Sequence, residues 1–167
     1  MSIIKEHAEA ISAILHRLKT PKPKHRRQRS ILDIVLADGL DFTSTMTTDP
    51  ALRGKMKECF QNAGRLALFG ERGRYIYCEG FAVPSEQIPL PIAHAWVWDI
   101  HAQKAIDVTW EQPGIEYFGI AFDTEWFRNY TIEQNVWGVL DQPAFMYDEA
   151  KPEDYRANSS DLLVGQL

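Results

Sequence analysis

Only two cysteines, Cys59 and Cys78, occur in the 167 residues, too few for the disulfide framework of a small secreted domain. No run of about 18 consecutive apolar residues is present, which argues against a membrane-spanning helix. The N-terminal MSIIKEHAEA carries acids early and has no apolar stretch leading to a cleavage site. No signal peptide is therefore expected, and the expected compartment is a reducing cytoplasm. There is no internal repeat, and no Cys or His pair has zinc spacing. What is present is globular in kind: 45% hydrophobic, 25% charged and 11% aromatic residues, enough to bury one core without disulfide or metal.

The net charge of −5 hides an asymmetry. Residues 1–29 hold eight Lys and Arg against two acids, +6, while residues 30–167 hold ten against 21, −11. A basic arm on an acidic body follows. The stretch TPKPKHRRQR has no apolar residue at all, and without interleaved aromatics it gives no sign of base stacking. Arg17–Arg29 could dock an acidic partner, nucleic acid or the protein's own acidic body, or be a solvated linker.

Residues 3–19 read as an amphipathic helix, with Ile4, Ala8, Ile11, Leu15 and Leu18 at helical spacing. Pro21 and Pro23 end it. Ser30 is an N-cap for a short helix stopped by Asp38-Gly39, and DFTSTMTTD is extended or looped. Asp49-Pro50 is a helix-start pair. A further helix begins around Cys59, with Phe60, Ala63, Leu66, Ala67 and Phe69 on its apolar side and Gly70 as its stop. From Arg74 the period changes to β in four runs: RYIYCEGFAV, IAHAWVWDI, KAIDVTW and IEYFGIAF. These predict an antiparallel meander, then a short helix near Asp123. The expected architecture is α+β, helices packed on one face of an antiparallel sheet. Residues 1–29 form the helix and arm, 30–147 the folded domain, and 148–167 a polar tail, docked or frayed.

Three polar residues stand where chemistry could be done: Cys59 near a helix start, His94 within the second β run and Asp107 within the third. A tight hairpin centred between residues 100 and 101 sets His94 opposite Asp107, and a helix N-terminus aimed at that pair brings up Cys59. Only a few per cent of a free thiol is ionised at neutral pH, and a helix N-terminus and an imidazolium both favour the thiolate. A carboxylate behind the imidazole fixes its tautomer and orientation. Nucleophile, base and orienter together make an acyl-transfer constellation.

The segments KECFQNAGRLAL (57–68), RYIYCEGFA (74–82), HAWVWD (94–99) and AIDVTW (105–110), in this order, resemble the transglutaminase-like core of the papain-type cysteine enzymes. The resemblance covers residues 55–122. It implies Cys59 as nucleophile, His94 as base and Asp107 as orienter, with a protein or peptide carboxamide as substrate and no cofactor. Lys57 stands where many relatives have glycine, and Val108 where they have proline. The family includes peptidases, amidases, deamidases, cross-linking transferases and inactive members, so a binding protein with a disabled site, docking a macromolecule through its basic arm, is the alternative.

Around the triad, the Cys59 N–H is the natural oxyanion donor, with Asn62 as a candidate support. Glu79 either lines the cleft or faces water at a strand edge, and Trp96, Trp98 and Trp110 are core or cleft walls. Cys78 reads as a small structural hydrophobe. A metal site from His94, Asp99, His101 and Asp107 is disfavoured, since His94 and Asp99 fall on opposite strand faces.

Overall fold

A computed structural model describes residues 28–42, 49–147 and 149–162, together with Ala13, Leu15 and His16. Of the expected helix over 3–19, these last three are helical and Leu15 is buried in the core. The rest of that helix and the basic stretch through residue 27 lie outside the described residues.

Helix α1 spans Ile31–Asp38. Ser30 starts it through a capping box: its Oγ accepts the Asp33 N–H at 3.2 Å, and the Asp33 carboxylate accepts the Ser30 N–H at 2.8 Å. Gly39 ends it. Asp49-Pro50 opens only a single 3-10 turn, Pro50–Leu52, with the Asp49 carboxylate capping Ala51 N. Helix α2 spans Cys59–Phe69 and stops at Gly70. Phe69 is 77% exposed, a departure from the expected apolar face. At about 100° per residue it rotates away from the stripe through Cys59, Ala63 and Leu66.

The five strands are β1 (Leu40–Phe42), β2 (Tyr75–Val83), β3 (Ile92–Asp99), β4 (Lys104–Ile106) and β5 (Glu116–Ala121). They form one curled antiparallel sheet in the order β1-β5-β2-β3-β4, so the fold is α+β but the strands are not a simple meander. The fourth β run returns across the sheet to pair with the first. The reason is burial: nearly all of β2 is enclosed, so its backbone needs a hydrogen-bonding neighbour on each side. Gly80 and Gly119 face each other across that β2–β5 pair. A Cβ on Gly80 would meet Phe118 O at 2.4 Å, and one on Gly119 would meet Glu79 O at 2.4 Å, so the curl requires both glycines.

One sheet face, with Tyr75, Tyr77, Ala95, Val97, Phe118 and Ile120, packs against α2 and against α3 (Thr124–Gln134). The other buries Ile76, Cys78, Trp96, Trp98 and Tyr117 with Phe42 and Leu162. The chain after residue 148 contributes to this packing. Short helices α4 (Pro143–Met146), α5 (Pro152–Tyr155) and α6 (Ser159–Leu162) follow, Tyr155 and Leu162 are buried, and Arg156 pairs with Asp38 at 3.2 Å. Among the described residues no helix is long and apolar enough to cross a membrane.

Glu79 neither lines a cleft nor faces water. It is on the helix-covered face of a central strand, 3% exposed. Its carboxylate accepts Tyr77 Oη at 2.8 Å, Val139 N at 2.9 Å and Leu140 N at 3.1 Å, fastening residues 137–140 to the sheet. Burial pushes the carboxyl up to about 7 from its ordinary 4.5, against the hydrogen bonds from Val139, Tyr77 and Leu140, which favour the anion. Between those values the folded chain holds a proton that the unfolded chain releases. This contribution to stability is complete below the unfolded value and is lost as pH rises through 7. On the order of 3 kcal/mol should disappear across that window. Urea unfolding of the wild type and of Glu79→Gln at pH 5 and pH 8 measures it: the wild type should lose more stability than the variant, and equal losses would contradict the assignment.

Candidate active site

The hairpin that carries His94 is built by its turn. Asp99 Oδ1 accepts the N–H groups of His101 at 2.9 Å and Ala102 at 3.1 Å. Arg74 grips Asp99 Oδ2 through Nε at 3.0 Å and a terminal nitrogen at 2.9 Å. Gln103, at φ 55°, closes the loop. Asp99 then pairs with Lys104 and Val97 with Ile106, so the hairpin is centred one residue later than expected. Asp107 is consequently not within a strand but is the first residue past β4. It still reaches the base, because the chain turns back at that point: His94 Nε2 and Asp107 Oδ2 are 2.7 Å apart.

The turn after β4 is organised around that carboxylate. Asp107 Oδ1 accepts the N–H groups of Thr109 at 2.8 Å and Trp110 at 2.9 Å. Tyr117 Oη, arriving from β5, donates to Oδ2 at 2.9 Å and accepts Gly114 N–H at 2.7 Å. Trp110 lies flat against the imidazole, ring centroids 3.9 Å apart and planes 16° from parallel. His94 is 2% exposed, Asp107 1% and Cys59 9%, so all three are buried.

Cys59 is the first residue of α2, and Glu58 before it makes no side-chain cap. The first-turn N–H groups, that of Cys59 included, are thus left by their cap as donors for an oxyanion. Cys59 and Asp107 both act on the His94 ring. Burial alone would lower the imidazole's proton affinity. The hydrogen bonds to Asp107 and Cys59, with the charges of both, outweigh it and push His94 up to about 9. The ring is therefore an imidazolium through neutral pH, and its stabilising contribution, full below the ordinary 6.5, is lost as pH rises through about 9.

Lys57 holds φ 69°, a left-handed conformation costly for a side chain with a Cβ. The strain falls two residues before Cys59. Asn62 is committed to structure: its Nδ2 donates to Lys55 O at 2.8 Å and to Thr109 Oγ1 at 2.9 Å. It ties the segment before Cys59 to the turn after Asp107, with both amide protons spent there. Trp96 is wholly buried beside Tyr117 and Phe42, so it offers no surface to substrate. Its indole N–H has no acceptor among the described residues. Cys78, on the same face, is also buried, and burial raises its thiol well above the ordinary range. Among the described residues no group of three or more His, Cys, Asp or Glu is disposed around a metal site.

Sequence reasoning missed Tyr117 and Thr109, and took Trp110 as core or cleft wall rather than as the ring stacked on His94. The spacing Asp107-x-Thr109 is an Asx-turn signal that pointed to the last two; nothing local marked Tyr117, whose role depends on β5 crossing the sheet. Set against known proteins, the chain matches no family model, no curated protein and no solved structure. The site's chemistry must therefore be read from its geometry.

Two substitutions check this construction. Tyr117→Phe keeps the ring and removes the hydroxyl, leaving the buried Gly114 N–H and one Asp107 lone pair unpaired. It should cost about 1–3 kcal/mol in urea unfolding, and no loss would contradict the network. Lys57→Gly relieves strain of about 1–2 kcal/mol but gives back part of it in chain entropy. The variant should unfold at an equal or higher urea concentration, whereas a clear loss of stability would mean that φ is not strained.

Proposed function

We propose that this chain is a cysteine-dependent acyl-transfer enzyme, an amidase, peptidase or deamidase/transglutaminase in type, with a transglutaminase-like core. The observation that carries the reading is the 2.7 Å bond from His94 to Asp107 beside Cys59, whose thiol acts on the same ring from the start of a helix. In it the Cys59 thiolate attacks the carbonyl carbon of a carboxamide, and the oxyanion meets the Cys59 N–H. The His94 imidazolium gives its proton to the departing nitrogen as the C–N bond breaks, leaving a thioester and an amine. Neutral His94 then takes a proton from the incoming water or amine, which expels the thiolate and returns the site to its start. Asp107 holds the ring in place throughout. The reading includes a cytoplasmic location, where both thiols stay reduced, and a protein or peptide substrate.

The alternative is a binding protein that keeps this fold without turnover, docking an acidic partner or nucleic acid through Arg17–Arg29. The burial of Cys59, His94 and Asp107, with Trp110 flat on His94, is what favours it. Alkylation separates the two. Iodoacetamide should modify Cys59 at least about tenfold faster than Cys78, and markedly more slowly in His94→Ala. Equal, slow labelling of both thiols would overturn the enzyme reading.

A further inference from the structure

Resting on Cys59 as the nucleophile, we propose that the acyl substrate is an acidic peptide, with a carboxylate beside the reacting carbonyl received by Arg53, Lys55 and Lys57. Residues 30–167 carry −11, and three of their ten cations fall within the five residues 53–57, just ahead of the nucleophile. Over residues 50–70 four cations face a single acid, Glu58. The sign of the surface is therefore inverted at the one place where an acyl group would enter.

These cations are not on a free loop. Asp49 caps Ala51 N–H at 2.9 Å, Gly54 N–H donates to Val108 O at 2.8 Å, and Lys55 O accepts Asn62 Nδ2 at 2.8 Å. A Cβ on Gly54 would sit 1.9 Å from Asn62 Oδ1, so the backbone is pressed onto α2 at that point. The segment is thus fastened both to the helix that bears Cys59 and to the residue after Asp107, and its cations move with the triad. Lys55 and Lys57 are exposed and Arg53 is partly so. None of the three forms an ion pair among the described residues, although acids outnumber bases two to one in the body. A cation left unpaired in an acidic molecule keeps its charge for a ligand.

The rest of the mouth has the same sign. The α2 N-terminus adds its partial positive charge, and the His94 imidazolium persists to about pH 9. Leu52 and Met56 are exposed on the same segment, giving the neighbouring peptide residues an apolar rest. A phosphodiester would satisfy the charge but offers no carbonyl to the thiolate; an aspartyl or glutamyl peptide supplies both.

The test uses the full chain and two probes that differ in charge alone: iodoacetate and iodoacetamide. In the wild type at low salt the ratio of their rates at Cys59 should exceed that of a free cysteine and fall as salt screens the cations. In the Lys55→Gln/Lys57→Gln variant the ratio should drop by about fivefold or more. Of two otherwise identical peptide vinyl sulfones, one flanked by glutamates and one by lysines, the glutamyl probe should label Cys59 faster, and that preference should vanish in the variant. A ratio unchanged by the substitutions, or two rates that fall together, would overturn the proposal, because the cations would then act on the thiolate alone. Labelling indifferent to His94→Ala would instead remove the nucleophile reading beneath it, a failure seen with the neutral reagent alone.

Discussion

A hydrogen bond of 2.7 Å between His94 and Asp107, both almost wholly withdrawn from water, is the contact on which the remainder depends. Burying an ionised carboxylate is costly unless donors surround it. Here they come from three parts of the chain: the His94 ring on β3, the Thr109 and Trp110 N–H groups of the following turn, and the Tyr117 hydroxyl on β5. Asp107 therefore links β3, the turn after β4 and β5, and a change there acts on fold and candidate site together.

Electrostatics gives the arrangement its direction. A buried imidazole alone would stay neutral; the carboxylate on one side and the thiol on the other reverse this and hold a proton on the ring to about pH 9. Glu79, across the sheet, illustrates the opposite case, a carboxyl raised by burial and used to secure residues 137–140. Both groups bind protons more tightly folded than unfolded, so both make the fold less stable as pH rises, over adjoining windows. Glu79 fastens Val139 and Leu140 to the sheet, whereas His94 faces Cys59 and Asp107.

The elements with local signals were legible in the sequence. Ser30, Asp33 and Gly39 bound α1, Gly70 ends α2, Asp123 caps α3, and the three residues of the site stand together because each had a recognisable position. What escaped depended on distant pairing. The single-residue shift of the β3–β4 register comes from Asp99 capping its own turn while Arg74 holds it from another strand's edge. The backbone partners of Glu79 lie 60 and 61 residues away, so a charge within a strand could be read only as lining a cleft or facing water. Asn62 looked like an oxyanion donor because the acceptors of its amide belong to a loop and a turn that only the fold brings together.

The central claim is that Asp107 and Cys59 together hold a proton on the His94 imidazole. Nitrogen NMR of the His94 ring tests it most directly. At pH 7.5 both ring nitrogens should carry protons, with a midpoint near 9 that falls in Cys59→Ala and in Asp107→Asn. A ring that is neutral at pH 7.5, with a midpoint indifferent to Cys59, would contradict it.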